Sequence, residues 1–352
     1  MRCLSFISLA AAAATVVSGT VLPRGKPAPA LPVAAFNTSS LVKPLSLDEA
    51  KNKHLVDSEA GFTTAATGGG FTTQATCSNP RVRQEWDSYS TTNKLKFINA
   101  INCLIKKPAS GKFRAAKNRY EDLVAVHQGY TPNIHGNPKF LVWHRYFLWV
   151  FEDVLRTECG LDVPIPWFDE QKYAGRFSQS SVFSANYFGA IALGGRCVTN
   201  GKFANLVLNI GPGTAIGEHC LSRNGDGAKT ANTGKAFVDA CNSRTSYADM
   251  GACSEGGAHA WGHNGIGSVM QDPYASPGDP VFWLHHAFID RNFRIWQNKD
   301  SNRVNVIDGR DVSGNLLTFN TDISVNGIRP NVKIGDVMNT LNTKLGCYRY
   351  DY

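Results

Sequence analysis

Nine histidines occur in the 352 residues, and seven of them fall in two short windows. The first window holds His127, His135 and His144; the second holds His259, His263, His285 and His286. His259 and His263 are four apart, so a helix carrying them projects both rings from one face, the spacing needed to share a metal. His286 lies on a later apolar segment, after a Gly/Pro-rich connection able to fold it back as a third imidazole. In the first window His144 sits inside a long apolar segment, where a core-facing imidazole needs a partner. His127 comes from the segment before it and His135 from the loop between. Each window therefore offers three neutral nitrogen donors and almost no thiolate or carboxylate, a set that suits copper or zinc without separating the two. Zinc hydrolysis of the HExxH kind lacks its general base, because Ala260-Trp261-Gly262 fill the gap between the pair. A lone buried histidine is ordinarily just a hydrogen-bonded core residue; seven of nine clustered, with an i,i+4 pair, point to metal.

Those rings must be positioned by helices. Apolar residues at helical spacing over Arg81 to Leu104 predict a helix or two, and Tyr120 to His127 predicts another. Gly129 to Pro138 reads as a loop. Phe140 to Leu155 is too long and too apolar for a strand and predicts a buried helix. Residues 160 to 255, rich in Gly and Cys, read as irregular loops. Gly257 to Asn264 predicts a helix, and Asp279-Pro280 starts one running to about Gln297. Arg303 to Val306 and Val332 to Ile334 read as short strands. The expected fold is mainly α: a four-helix-bundle core holding the metal site, with long disulfide-tied loops and a few short strands.

Composition bounds the setting. A hydrophobic content of 43% allows a sizeable core, and the formal charge of +8 is scattered rather than gathered into a stripe, which argues against nucleic acid as partner. Arg2 followed by the apolar run Leu4 to Val17 and the small residues Ser18 and Gly19 reads as a secretory signal peptide over residues 1–19, too short to span a bilayer comfortably. A secreted, extracellular protein with no membrane anchor is expected. Residues 20–75, poor in aromatics and carrying Gly68-Gly69-Gly70, read as a flexible N-terminal arm or propeptide. Asn37-Thr38-Ser39 is a glycan sequon within it. Beyond Cys3 eight cysteines remain, an even count that reads as up to four disulfides in an exported chain.

The string His135-x4-Phe140-Leu141-x-Trp143-His144-Arg145-x2-Leu148-x3-Glu152 resembles the CuA signature of the tyrosinase and catechol oxidase (polyphenol oxidase) family. Asp279-Pro280-x-Phe282-Trp283-x2-His286-x3-Asp290 resembles its CuB signature, and Tyr348-x-Tyr350 resembles the tyrosine motif that closes the family's catalytic domain. The chain is similar to short secreted fungal-type members over residues 76–352. The resemblance implies two copper ions, CuA on His127, His135 and His144 and CuB on His259, His263 and His286, with O2, peroxide or hydroxide bridging them. It implies a type-3 copper enzyme that oxidises o-diphenols to o-quinones with O2, its partners being a small phenol and O2. His285 is then not a ligand but a supporting or packing residue. Glu152 and Asp290 would orient ligand rings or neighbouring arginines, with plain intrahelical salt bridges as the alternative. Glu255, four residues before His259, is implied to hold a water that takes a phenol proton.

Some positions depart from the family pattern. Asn133 stands where many relatives have a Cys bonded to the second CuA histidine, so that thioether is expected to be absent. Ala260 stands where many monophenol hydroxylases have an Asn after the first CuB histidine, while Asn264 follows the second; both are candidate substrate-side residues. This favours catechol oxidation over tyrosine hydroxylation, with oxidation of o-aminophenols or o-methoxyphenols as a further alternative. The chain stops two residues after Tyr350, so no C-terminal shielding domain is expected, and activity without release of a lid. The competing classes are a haemocyanin-like oxygen carrier and a mononuclear zinc protein using His259, His263 and His286.

Overall fold

The structure, a computed structural model, describes residues 27–34, 41–52, 77–342 and 344–352. The expected signal peptide, the Asn37 sequon and the Gly68–Gly70 run lie outside them. Ten helices are described in chain order: α1 Leu47–Asn52, α2 Thr91–Lys106, α3 Arg119–Ile134, α4 Lys139–Cys159, α5 Gly227–Thr230, α6 Lys235–Asn242, α7 Tyr247–Ser254, α8 Ala260–Ile266, α9 Phe282–Asn298 and α10 Ile334–Met338. The mainly α expectation holds. Short strands accompany the helices: β1 Arg81–Arg83, β2 Val207–Ile210, β3 Ile216–Cys220, β4 Asp322–Ile323, β5 Val332–Lys333 and β6 Tyr348–Tyr350. They form three two-stranded sheets, β1 with β6 in parallel, β2 with β3 and β4 with β5 antiparallel.

Local chemistry explains the main elements. Ser90 and Asn118 cap α2 and α3 by accepting the Asn93 and Glu121 N–H groups. Helix α4, apolar on almost every side, is buried along most of its length and ends at Gly160, whose φ of 67° lets the chain leave in the left-handed region. Packed against α2, α3 and α9, α4 is the central rod of the core. Phe151 of α4 stacks on Trp283 of α9 at 3.8 Å between ring centroids.

Several expected boundaries move. Arg81–Arg83 is a strand rather than helix, because pairing with Tyr348–Tyr350 lets Arg83 enter the core. Helix α3 continues through Gly129 and Pro132 to Ile134, where a loop was expected. Proline in the last turn removes only one backbone bond, and Thr131 Oγ1 donates to the His127 carbonyl one turn back at 2.8 Å. The irregular stretch 160–255 contains α5, α6 and α7, with α6 and α7 stapled by Cys241–Cys253. Helix α9 begins at Phe282, since Asp279 accepts the Val281 N–H in a turn ahead of it. Ser301–Asn305 is a 3₁₀ turn and not a strand, whereas Val332–Lys333 is a strand as expected. The eight cysteines among the described residues all pair, in Cys77–Cys347, Cys103–Cys159, Cys197–Cys220 and Cys241–Cys253. No described helix is long and apolar enough to cross a membrane.

Candidate metal centre

The two histidine windows meet in the core. His127 comes from α3, His135 from the residue that ends α3, and His144 from α4; His259 ends the turn leading into α8, His263 lies on α8 and His286 on α9. Each window brings its imidazole nitrogens within 4.8 Å of one another, one group being His127, His135 and His144, the other His259, His263, His285 and His286. The groups face each other: His144 stacks on His286 at 4.5 Å and His135 on His259 at 6.0 Å between centroids. A π-type turn, Glu255–His259, with Gly257 outside helical geometry, sets the phase at which α8 presents its rings. Phe140 lies 4.6 Å from His259 and Phe282 4.1 Å from His286, so aromatic walls close the cluster from inside the core.

Hydrogen bonding fixes which nitrogen is available. Nδ1 of His127 meets the Tyr274 carbonyl at 2.8 Å, His135 that of Thr131 at 3.1 Å, and His144 that of Phe140 at 2.8 Å. Nδ1 of His259 meets the Glu255 carbonyl at 3.1 Å and that of His263 the Met270 carbonyl at 2.6 Å. A carbonyl only accepts, so in these five rings Nδ1 carries the proton and Nε2 presents a lone pair. Nε2 of His127 and Nε2 of His144 then face each other at 3.4 Å with no proton between them. Two lone pairs at that distance repel unless a cation sits among them, so this donor set fits a metal ion. His263 and His286 Nε2 lie at 3.2 Å in the other group. Burial pushes all six imidazoles below their ordinary range, His127 to about 4, which keeps them neutral and ready to ligate.

Around this centre the expected supporting residues take definite partners. Nδ1 of His285 lies 2.6 Å from Glu170 Oε1, both fully buried; burial lowers His285 to about 3 and raises Glu170. Gly262 is obligatory here, as a Cβ would stand 2.5 Å from the His285 ring and 2.8 Å from Glu170 Oε2. Glu170 was missed in the sequence, where it is one carboxylate in a loop with no periodic signal. Glu255 is buried, and its Oε1 accepts the Gly136 N–H at 2.9 Å, so one residue touches the backbone beside His135 while its own carbonyl holds His259. Ala260 and Asn264 are both buried on α8.

Glu152 and Asp290 serve arginines from distant segments and not intrahelical partners. Arg83 binds Glu152 at 2.7 Å, and Arg145, next to His144, binds Asp290 at 2.5 Å. The Tyr348 and Tyr350 hydroxyls both donate to Asp290 Oδ2 at 2.6 Å. Burial alone would raise the Asp290 carboxyl, but Arg145, Arg83 and the two hydroxyls outweigh it and hold it below its ordinary value. Since α4 carries His144 and α9 carries His286, this clamp sets the register in which the two rings stack.

A helical core that presents two imidazole triads to each other fits the paired metal centre of type-3 copper proteins. Known proteins agree. The family model for the common central domain of tyrosinase matches residues 117–299, and the chain belongs to the tyrosinase family. Tyrosinase P of Aspergillus terreus is 30% identical over 275 residues, 64% of this chain and 77% of that protein. An N-acetyl-6-hydroxytryptophan oxidase of Emericella nidulans is 28% identical over 366 residues, 85% of this chain and all of that one. Among solved structures, a variant of polyphenol oxidase from Thermothelomyces thermophila superposes with a TM-score of 0.68 at 26% identity, covering 78% of this chain and 89% of that one. A functional unit of octopus hemocyanin shares the fold, with a TM-score of 0.55 at 19% identity, over 77% of this chain and 68% of that one.

Proposed function

We propose that the chain is a secreted dicopper polyphenol oxidase that converts o-diphenols to o-quinones with O2. His127, His135 and His144 would hold CuA and His259, His263 and His286 CuB. The lone pairs of His127 and His144 facing at 3.4 Å, in one of two histidine-only triads, carry this reading. Copper, when bound, supplies two-electron exchange with O2. Each catechol gives up two electrons and two protons, so two catechols reduce one O2 to two waters. The protein's own part is to keep five of the six Nε2 atoms aimed through backbone carbonyls, to exclude bulk water by burial, and to accept phenol protons. Glu255, whose carboxylate meets the Gly136 N–H beside His135 and whose carbonyl meets His259, is the proposed acceptor. Ala260 and Asn264 would face the ring, Ala260 leaving no side-chain amide beside Glu255 to assist a monophenol. Four disulfides suit an exported chain.

The test is to load the purified protein with copper, add a slight excess of hydrogen peroxide, and compare rates on 4-methylcatechol and tyramine. About two coppers per chain, strong near-ultraviolet absorption and turnover of the catechol alone support the reading. One bound zinc and no absorption would overturn it, and reversible oxygenation without turnover would make the protein a carrier. Turnover of tyramine would move the activity to monophenols. The likeness to an oxidase named for a hydroxytryptophan favours keeping such hydroxylated indoles in the substrate panel.

A further inference from the structure

No phenol reaches the six imidazoles of this structure as they stand, since their exposure runs from 0 to 4%. Most of what encloses them belongs to the main core and is fixed there: Phe140, Trp143, Phe147 and Phe282 lie in one continuous apolar cluster. Beside them, among the described residues, runs the segment 41–52, which precedes the expected catalytic domain. Leu41 lies across Gly136, the neighbour of His135, so closely that a Cβ on that glycine would stand 2.6 Å from the Leu41 carbonyl oxygen. Val42, 6% exposed, packs on Ala260, the neighbour of His259. Two consecutive residues thus bridge the two triads at their rims. The next turn of chain is pinned down: the Leu45 N–H donates to the Gly256 carbonyl at 2.7 Å, and the Trp261 indole N–H donates to the Leu45 carbonyl at 2.6 Å. Gly256 leaves the room for this, because a Cβ there would meet Leu45 Cγ and the Lys43 carbonyl at 3.0 Å. Beyond it α1 rests on α6, with Leu45 and Ala50 against Phe237, and Arg244 donates to the Ala50 carbonyl.

We propose that residues 41–52 are a detachable strap that covers the substrate mouth of the metal centre and holds the oxidase latent until it is displaced or cleaved. This rests on the function proposed above and adds its regulation. Detachment is compatible with the core, because the apolar contacts of the strap form two small clusters separate from the main one. What lies beneath also fits a ring-docking floor of small residues: Gly136 and Ala260 each follow a histidine, one of each triad, Gly256 follows Glu255, and the Gly136 N–H meets the Glu255 carboxylate. A flat phenol would take the place of Leu41 and Val42. The expectation of activity without release of a lid looked only downstream of Tyr350, and this cover comes from the other end of the chain.

The test uses the full chain, with residues 41–52 confirmed present by mass spectrometry, in wild-type, Leu45→Asp and Trp261→Phe forms. In metal-free protein, diethyl pyrocarbonate modification is mapped by peptide mass spectrometry, with buried His219 as internal control. The strap predicts at least about fivefold faster modification of His135 and His259 in Leu45→Asp, a smaller rise in Trp261→Phe, and no change at His219. In copper-loaded protein, kcat/KM for 4-methylcatechol should rise about tenfold or more, with copper content and the response to the small probe peroxide unchanged. Equal histidine reactivity in all three forms, with native circular dichroism, would overturn the strap. Should Leu45→Asp misfold, Trp261→Phe decides alone. Faster modification without catechol turnover in any form would instead sink the oxidase reading and leave the cover standing.

Discussion

At the residue scale, the chemistry rests on which ring nitrogen faces inward. Replacing His263 by Ala removes one donor of CuB, and metal analysis should show about one copper per chain where the parent has two, with catechol oxidation lost. His285→Gln tests the neighbouring ring. Its Nδ1 is tied to Glu170, so copper content should stay near two while the variant loses stability. A fall to one copper would promote His285 to ligand. Acid behaviour follows from the same burial. The imidazoles sit below their ordinary value of 6.5 when folded, so as pH drops through 6.5 the unfolded chain takes up protons that the folded one refuses. Stability is therefore whole above that pH and falls on the way to about 4, the His127 value, each group contributing up to about 1.4 kcal/mol per pH unit. Denaturant midpoints of the metal-free protein at pH 7.5, 6 and 5 should fall with a slope of more than one proton. Copper should raise every midpoint while leaving that slope in place, because the folded imidazoles are unprotonated with or without it.

At the element scale, the register between α4 and α9 depends on Asp290. Asp290→Asn leaves Arg145 buried without its carboxylate and Arg83 with Glu152 alone, a loss of about 3–5 kcal/mol that urea unfolding would read directly. If the variant unfolds at the wild-type midpoint, the clamp does not hold the helices. This scale also shows how far the sequence could be read. The histidine pair His259 and His263 was legible because helical spacing is local: the two rings face the same way whatever surrounds them. The buried α4 was legible for the same reason, from its unbroken apolar run. Arg81–Arg83 was misread as helix because its structure is decided by a partner strand more than 260 residues away, at Tyr348–Tyr350. Glu170 and the Leu45–Gly256 contact left no mark for the same reason. Each is a pairing across the fold in which neither residue is unusual among its own neighbours.

At the scale of the whole molecule, residues 77–352 are closed where their two ends meet. β1 and β6 pair in parallel, and Cys77–Cys347 staples residues 270 apart. Cutting that staple with Cys77→Ser and Cys347→Ser together should cost about 2–5 kcal/mol. The loss should appear as a lower thermal midpoint with disulfides Cys103–Cys159, Cys197–Cys220 and Cys241–Cys253 intact. Because β6 supplies Tyr348 and Tyr350 to Asp290, fraying there reaches the α4–α9 register, and the double variant should also hold copper less firmly. Unchanged copper affinity would show that the metal centre is insulated from the seam.

Five of the ligand rings are aimed by main-chain oxygens, those of Tyr274, Thr131, Phe140, Glu255 and Met270. Every amino acid carries that oxygen, so a lineage can exchange the side chain at such a position without losing the acceptor. Inheritance then acts on the path of the backbone more than on the letters along it. A centre built this way tolerates long sequence drift around its histidines, and neighbours of those histidines are free to be recruited for new substrates while the metals stay where they were.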